Sequence, residues 1–296
     1  MPHALVFVAS PEDKPVYREA LLMLGRVALN RKLPPPEVLS GWESAQWIYE
    51  SVDGELRQEA AAAVAELPVD WALVPVEGRR KKLLVADMDS TIINVECLDE
   101  LADFAGIKAE IAAITERAMR GELEFEPALR ERVSKLKGLA LDALQKTYDE
   151  RVRLNPGAAT LVKTMAAHGA RCVLVSGGFT FFTSRVADAA GFHANRANVL
   201  IDDGAKLTGD VQEPILGRKA KLDAMRAEAA TVKINDKDAL AIGDGANDLD
   251  MIKAAGLGVA YRAKPLVAAE ADAKIDYMNL EAALFFQGYR RAEFAP

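Results

Sequence analysis

The stretch Lys81-Lys82-Leu83-Leu84-Val85-Ala86-Asp87-Met88-Asp89-Ser90-Thr91 constrains this chain most. Its unbroken apolar run reads as a strand buried on both faces, the habit of a parallel sheet. The run stops abruptly at two acids spaced one apart. Open α/β sheets place ligands at the carboxyl ends of their strands, so Asp87 and Asp89 stand at the mouth of a site. Two carboxylates this close repel each other unless a cation or a shared proton intervenes. The pair points to a magnesium-assisted phosphoryl-transfer site.

Further α/β units follow. Arg171 to Val175 is apolar and ends in Ser176-Gly177-Gly178; Ala239 to Ile242 ends in Gly243-Asp244-Gly245-Ala246-Asn247-Asp248; Leu257 to Tyr261 is a shorter run. Helical stretches at Gly157 to His168 and Phe181 to Gly191 lie between them, and such alternation indicates a parallel sheet covered on both faces. Glu100 to Val152 is charged, helix-rich and without a strand run, which makes it a helical cap over the site. Residues Ala197 to Pro214 alternate around Asp203-Gly204, a hairpin signal.

Ahead of the acid pair lies a smaller α+β order, βαβαβ-like or ferredoxin-like. It has a strand at Ala4 to Ala9, a helix at Lys14 to Asn30, a break at Pro34-Pro35-Pro36, and a strand at Ser44 to Glu50. An alanine-rich helix at Leu56 to Leu67 and a strand at Asp70 to Pro75 complete it. No cluster of acids, histidines or glycines suggests chemistry there, so docking or regulation is the expected role. Gly78-Arg79-Arg80 reads as a hinge. The division is 1–78 for this unit and 79–296 for the second, with the cap inserted at about 97–152.

A net charge of −7 argues against a nucleic-acid or anionic-membrane partner, though a few local cations suffice for a small anionic substrate. Cys97 and Cys172 form no CxxC pair, which fits a reducing compartment. The start Met1-Pro2-His3-Ala4 lacks a basic segment followed by a long apolar core, and no apolar run approaches membrane-spanning length. The chain reads as cytoplasmic.

Each strand-end motif alone is weak, since Asp pairs and Gly triplets also form turns and helix caps. Together they supply complementary parts. Asp87 and Asp244 offer oxygen ligands to a hard cation. His3, His168 and His193 lie outside the motifs, which disfavours zinc. Ser176 and the Gly177 amide can cradle phosphate oxygens. Lys219 or Lys221 can offset phosphoryl charge, although either lysine alone is more simply a solvated basic turn.

Asp87-Met88-Asp89-Ser90-Thr91, Val175-Ser176-Gly177-Gly178-Phe179, a following lysine and Gly243-Asp244-Gly245-Ala246-Asn247-Asp248 resemble the four motifs of the haloacid dehalogenase superfamily. The likeness is closer still to its phosphoserine-hydrolysing branch, and runs from about Leu83 to Asp276. It implies a Rossmann-like parallel sheet with an inserted helical cap, an aspartyl-phosphate mechanism and Mg2+ as cofactor. By this resemblance Asp87 is the nucleophile and Asp89 the acid–base. Magnesium is held by Asp87, the Asp89 backbone carbonyl and Asp244, with Asp248 supporting. Ser176 and Gly177 bind phosphate, Lys221 rather than Lys219 is the family lysine, and Asn247 contacts the substrate side.

The resemblance also assigns Glu96 to a substrate ammonium and Arg132 to its carboxylate, with Met119 and Phe125 as an apolar wall. The residues themselves do not separate Arg132 from Arg117, Arg120 or Arg130. Longer members carry an N-terminal α+β domain, sometimes of the amino-acid-binding ACT type, which Ala4 to Pro75 fit in outline. Val8-Ala9-Ser10-Pro11 stands where a glycine-rich effector loop would be. A degenerate domain used for docking, or for homodimer contact, is therefore preferred over a working effector site. Other readings are a phosphatase for another small metabolite such as phosphohomoserine, a phosphotransferase to another alcohol, and a non-catalytic amino-acid sensor.

Overall fold

The computed structural model describes residues 1–119 and 122–296, without the side chains of Glu116, Ala118 and Met119. The N-terminal unit runs β1 (His3–Val8), α1 (Lys14–Asn30), β2 (Glu37–Ser40), β3 (Ser44–Tyr49), α2 (Leu56–Ala63) and β4 (Asp70–Pro75). Helix α1 begins where the Asp13 side chain accepts from the Val16 amide at 3.2 Å, with a proline in the first turn. Tyr17, Ala20, Leu24 and Val27 recur at helical spacing on its buried face. They pack with α2 residues Leu56 and Ala60 on one face of an antiparallel sheet ordered β2-β3-β1-β4.

The second part opens with β5 (Leu83–Ala86). Four cap helices follow: α3 (Cys97–Phe104), α4 (Lys108–Met119), α5 (Phe125–Ser134) and α6 (Asp142–Arg151). The chain re-enters the sheet layers with α7 (Ala158–Ala167), β6 (Arg171–Phe179), α8 (Thr180–Ala190) and β7 (Ala194–Asn198). A separate hairpin, β8 (Leu200–Asp202) and β9 (Leu207–Val211), leads to α9 (Arg218–Thr231), β10 (Ala239–Gly243), α10 (Leu249–Ala254) and β11 (Leu257–Tyr261). Then come α11 (Pro265–Glu270), β12 (Ala273–Ile275) and α12 (Ala282–Phe286).

Strands β12-β11-β10-β5-β6-β7 form the parallel part of the sheet. Leu84 and Ala86 face one buried core, Leu83 and Val85 the other, which accounts for the continuous apolar run. The order reverses at β5, with β6 on one side and β10 on the other. The carboxyl ends of β5 and β10 therefore flank the crevice of a topological switch point.

The structure departs from the sequence reading in several places; α10, α11, β12 and α12 carry no expectation from the sequence, and three further differences bear on the fold. The segment Ala194–Asn198 is the edge strand of the main sheet, so the hairpin is confined to β8 and β9. Strand β2 follows the triple proline and had no separate expectation. The Gly78-Arg79-Arg80 segment is a clamped connection rather than a hinge. Arg79 is buried and donates from Nε to the Phe286 carbonyl (2.7 Å) and from Nη2 to the Phe285 carbonyl (3.1 Å). It thereby satisfies the Phe286 carbonyl at the end of α12 and adds a second donor at Phe285, whose carbonyl also accepts from the Gly288 amide at 2.8 Å.

The two parts share one ten-stranded sheet, because β4 pairs antiparallel with β12 through Ala72 and Ala273. Ala4, Val6, Val8 and Val74 pack into the same core as Phe285 and Phe286 of α12. Both cysteines are buried and free, Cys97 opening α3 and Cys172 within β6. Burial pushes both thiols up, that of Cys172 to about 12. No described helix is long and apolar enough to cross a membrane.

The cap is fastened at two seams. Its entry and exit pair where Ile93 bridges Leu154 and the Asn94 amide donates to the Arg153 carbonyl at 3.1 Å. Its far side joins the hairpin: the Gly138 amide donates to Leu207, the Leu207 amide to Leu139, and the Leu141 amide to Ala205, at 2.8–3.0 Å. Gly209 in β9 has φ +87°, and a Cβ there would lie 2.9 Å from Lys137 Cβ.

Candidate active site

Three strand ends and one helix start converge on the crevice. Asp87 leaves β5 with its amide donating to the Ile242 carbonyl of β10 at 3.0 Å. The chain then turns sharply: Asp89 is extended (φ −64°, ψ 135°) and Ser90 takes a left-handed φ of +57°. Ser90 Oγ donates to Glu96 Oε1 at 2.6 Å, and the Cys97 amide donates to Asp89 Oδ1 at 3.2 Å. This turn brings the Asp89 carboxylate back over β6, where a Cβ on Gly178 would lie 2.9 Å from its Oδ2.

Beyond β10, Asp244 accepts at Oδ1 from the Thr91 hydroxyl at 3.0 Å. Asp248 accepts from the Gly245 amide at 3.1 Å and lies so close to Gly243 that a Cβ there would collide with it. Oxygens of Asp87, Asp244 and Asp248 all lie within 4.8 Å of one another. Lys221, in the first turns of α9, is 1% exposed; its Nζ is 2.7 Å from Asp87 Oδ1 and 2.6 Å from Asp248 Oδ1. Lys219 instead lines a cavity of about 610 Å³ at the cap–core seam, with Phe125, Arg130 and Gly217.

Three carboxylates around one ammonium leave the centre short of positive charge. Burial, then the charge of Asp248, pushes the Asp87 carboxyl well above its ordinary range, with Lys221 opposing. Burial and Asp248 raise Asp244 to about 6. Burial, followed by the Glu96 charge, raises Asp89 to about 7. Burial works against the Lys221 ammonium, yet Asp248 and Asp87 hold its pKa above the usual lysine value. An oxygen-only donor set of this kind suits a hard divalent cation.

At the end of β6 the Gly178 amide donates to Ser176 Oγ at 2.8 Å, which leaves the hydroxyl proton free to donate elsewhere. Asn198 holds this loop in place: its Nδ2 donates to the carbonyls of Gly177 (2.8 Å) and Leu216 (3.2 Å), and its Oδ1 accepts from the Leu216 amide (2.6 Å). Phe125 reaches down from α5 between two glycines. A Cβ on Gly177 or on Gly217 would lie 3.2 Å from its ring. Asn247 packs its Oδ1 against Gly245.

The cap arginines separate by their partners. Arg117 pairs with Glu131 (3.1 Å), and Arg130 with Glu213 (2.5 Å). Arg132 donates only to the Ala128 carbonyl at 3.3 Å and has no carboxylate partner among the described residues. Burial lowers its pKa while the charges of Asp99 and Glu96 act in the opposite direction. Glu96 itself is exposed on the site side of the turn. Arg120 and the side chain of Met119 lie outside the described residues.

Sequence reasoning assigned no role to Thr91, Asn155 or Asn198. Thr91 stood inside the acid stretch and could have been found there as a side-chain donor. Asn155 donates from Nδ2 to the carbonyls of Thr91 (2.8 Å) and Ile93 (2.9 Å), and no local pattern announces that.

A family description, haloacid dehalogenase-like hydrolase, matches residues 84–253, and the chain belongs to that family. Within it, the phosphoserine phosphatase of Polaromonas sp. is 47% identical over 205 residues, covering 68% of this chain and 87% of the relative. The unliganded probable phosphoserine phosphatase of Vibrio cholerae superposes with a TM-score of 0.77 at 31% identity, over 98% of this chain and 88% of the other. A phospho-aspartyl intermediate analogue of phosphoserine phosphatase superposes at 0.65 with 39% identity, over 70% and 98% of the respective chains.

Proposed function

We propose that this enzyme is a magnesium-dependent phosphatase that hydrolyses O-phosphoserine to serine and phosphate through an aspartyl-phosphate. The observation that carries the reading is the buried Asp87 carboxyl, ion-paired with Lys221 and two positions from an acid poised near neutrality. The ammonium at 2.7 Å opposes the burial that raises the Asp87 carboxyl, and a cation held by the same acids would complete the charge that keeps it ionised as a nucleophile; an acid with a pKa of about 7 can both give and take a proton.

In the first step an Asp87 oxygen attacks phosphorus and the bond from phosphorus to the serine oxygen breaks, while Asp89 gives its proton to that oxygen. In the second, Asp89 takes a proton from water as the water oxygen attacks phosphorus, and phosphate leaves Asp87. Ser176, the Gly177 amide and Lys221 bind the phosphoryl oxygens, and Asp248 fixes Lys221. Asp87, Asp244 and the Asp89 carbonyl would hold Mg2+, which supplies charge neutralisation at the phosphoryl group. We assign Glu96 to the substrate ammonium, Arg132 to its carboxylate, Asn247 to the substrate side, and Phe125 with Met119 to the apolar wall. An Arg132 guanidinium that is half-buried and has no carboxylate partner among the described residues supports its part, because a partly desolvated cation gains from a fork-shaped contact with a carboxylate.

We also assign residues 1–78 to docking or regulation and 79–296, with the cap at about 97–152, to catalysis. The separate apolar core beneath α1 and α2 supports this division. A cytoplasmic setting and a homodimer contact through residues 1–78 belong to the same reading.

Phosphate release across phosphorylated metabolites tests the substrate. O-phosphoserine should exceed sugar phosphates and phosphohomoserine, only with magnesium present; equal rates on sugar phosphates would refute the assignment. Arg132→Ala should raise KM for phosphoserine by about 10–100-fold, the worth of a charge-assisted contact. It should barely change turnover of phosphoethanolamine, which lacks the carboxylate.

A further inference from the structure

The crevice is held from behind by a chain of hydrogen bonds that begins in the N-terminal unit. Asp70, at the start of β4, is buried and points its carboxylate at three successive amides of the segment after β12. Its Oδ1 accepts from Asp276 (2.8 Å) and Tyr277 (3.3 Å), and its Oδ2 from Tyr277 (3.3 Å) and Met278 (2.8 Å). The next residues lean on the loop that leads out of the cap. The Leu280 amide donates to the Pro156 carbonyl at 3.1 Å. Gly157, at φ +80°, is so close that a Cβ would lie 2.8 Å from both Asn279 Oδ1 and the Glu281 nitrogen.

Asn155 stands beside that contact. Its amide donates to the Ile92 carbonyl at 2.8 Å, and its side chain spans the carbonyls of Thr91 and Ile93. Thr91 is fully buried, and its hydroxyl ends the chain on Asp244.

We propose that Asp70 and Asn155 are positioning residues for the reaction, through which the N-terminal unit fixes the Met88–Ile93 turn and the Asp244 carboxylate. Asp70 holds segment 276–278, that segment braces Pro156 and Gly157, and Asn155 pins the turn whose Thr91 orients Asp244. Residues that orient a ligating carboxylate without touching the metal commonly change its affinity. The proposal rests on the metal-dependent reading of the site. Its primary readout needs neither metal nor substrate, so the two fail separately.

The full-length chain carries the test in four variants: Asp70→Ala, Asn155→Ala, the double variant, and Leu24→Ala as a control in the core under α1. Hydrogen exchange is followed at residues 88–93 without metal, and magnesium binding to the metal-free protein by calorimetry. Asp70→Ala and Asn155→Ala should each speed exchange at 88–93 and weaken magnesium binding by about tenfold. The double variant should be no worse than Asn155→Ala alone, since both act along one path. Leu24→Ala should lower Tm while leaving 88–93 and magnesium affinity unchanged.

The proposal is overturned if Asp70→Ala leaves exchange at 88–93 unchanged, if the double variant shows the product of the single effects, or if Leu24→Ala does as much at equal loss of Tm. If Asp70→Ala does not fold, Asp70→Asn, which keeps one acceptor oxygen, should give an intermediate acceleration, and no acceleration overturns the proposal equally. Magnesium binding without phosphoserine turnover would refute the substrate reading and leave this one standing.

Discussion

Asp87 and Asp89 flank a single residue, Met88, and meet different surroundings. Asp87 is ion-paired to Lys221, whereas Asp89 is turned away to the Cys97 amide and the neighbourhood of Glu96. Two carboxyl groups with different environments can take different chemical roles. Asp87→Asn should abolish covalent capture of phosphate, read as loss of acid-stable labelling from a radioactive substrate. Asp89→Asn should still be labelled by an activated phosphate ester while steady-state turnover drops by about 10²–10⁴-fold. Labelling of Asp87→Asn at wild-type level would move the nucleophile elsewhere. The acids, Ser176 and Asp244 were legible in the sequence because each ends an apolar run. Thr91 was legible as a donor in the acid stretch but its partner was not, and Asn155 and Asn198 were not legible at all, because all three act on groups 18 to 153 positions away, and such pairings exist only once the chain has folded.

Among elements, the apolar strands, even the four-residue β5, and the long helices were legible, and the short polar or terminal ones were not. Strand β7 reads Ala-Asn-Arg-Ala-Asn, too polar to signal a strand, yet it completes the sheet edge beside β6. Its pairing with an apolar neighbour decides its conformation, a tertiary effect that overrides local preference. The cap was legible as a helical insertion, but its seam with the hairpin was not. That seam depends on Gly209, whose left-handed backbone and contact with Lys137 leave no room for a side chain. Gly209→Ala should cost about 1–3 kcal/mol in urea unfolding, through backbone strain and the displaced cap edge. An unchanged midpoint would mean that the cap yields at this seam.

Taken whole, the molecule is three apolar cores on one sheet. The sequence divides into an α+β order and an α/β order, and nothing in it marks the strand pairing, Ala72 with Ala273, that continues one sheet across both. Removing residues 1–78 would strip β12 of its neighbour and uncover the side of α12 that packs beneath β1. The remainder should be less soluble and melt earlier than the full chain; an equally stable fragment would show that α12 does not need this cover. The Asp70 carboxyl at the same junction is raised to about 6, by burial against three opposing amides. The folded chain therefore keeps a proton that the unfolded chain releases, so stability falls as pH rises from about 4 to about 6 and is level above. Asp70→Asn should remove that slope: the stability difference between wild type and variant should shift by about 3 kcal/mol between pH 3.5 and pH 7. Denaturation midpoints of the two proteins with parallel pH dependence would exclude it.

The two buried thiols give the protein an internal clock for its own opening. With their pKa values pushed up, neither holds much thiolate at neutral pH, and an alkylating reagent finds no nucleophile while the fold is shut. Cys97 sits at the root of the cap and Cys172 near the start of β6, one strand in from the sheet edge, so the labelling rate at each times a separate event. A pulse of iodoacetamide, resolved by mass, would distinguish a cap that breathes over an intact sheet from a chain that comes apart all at once.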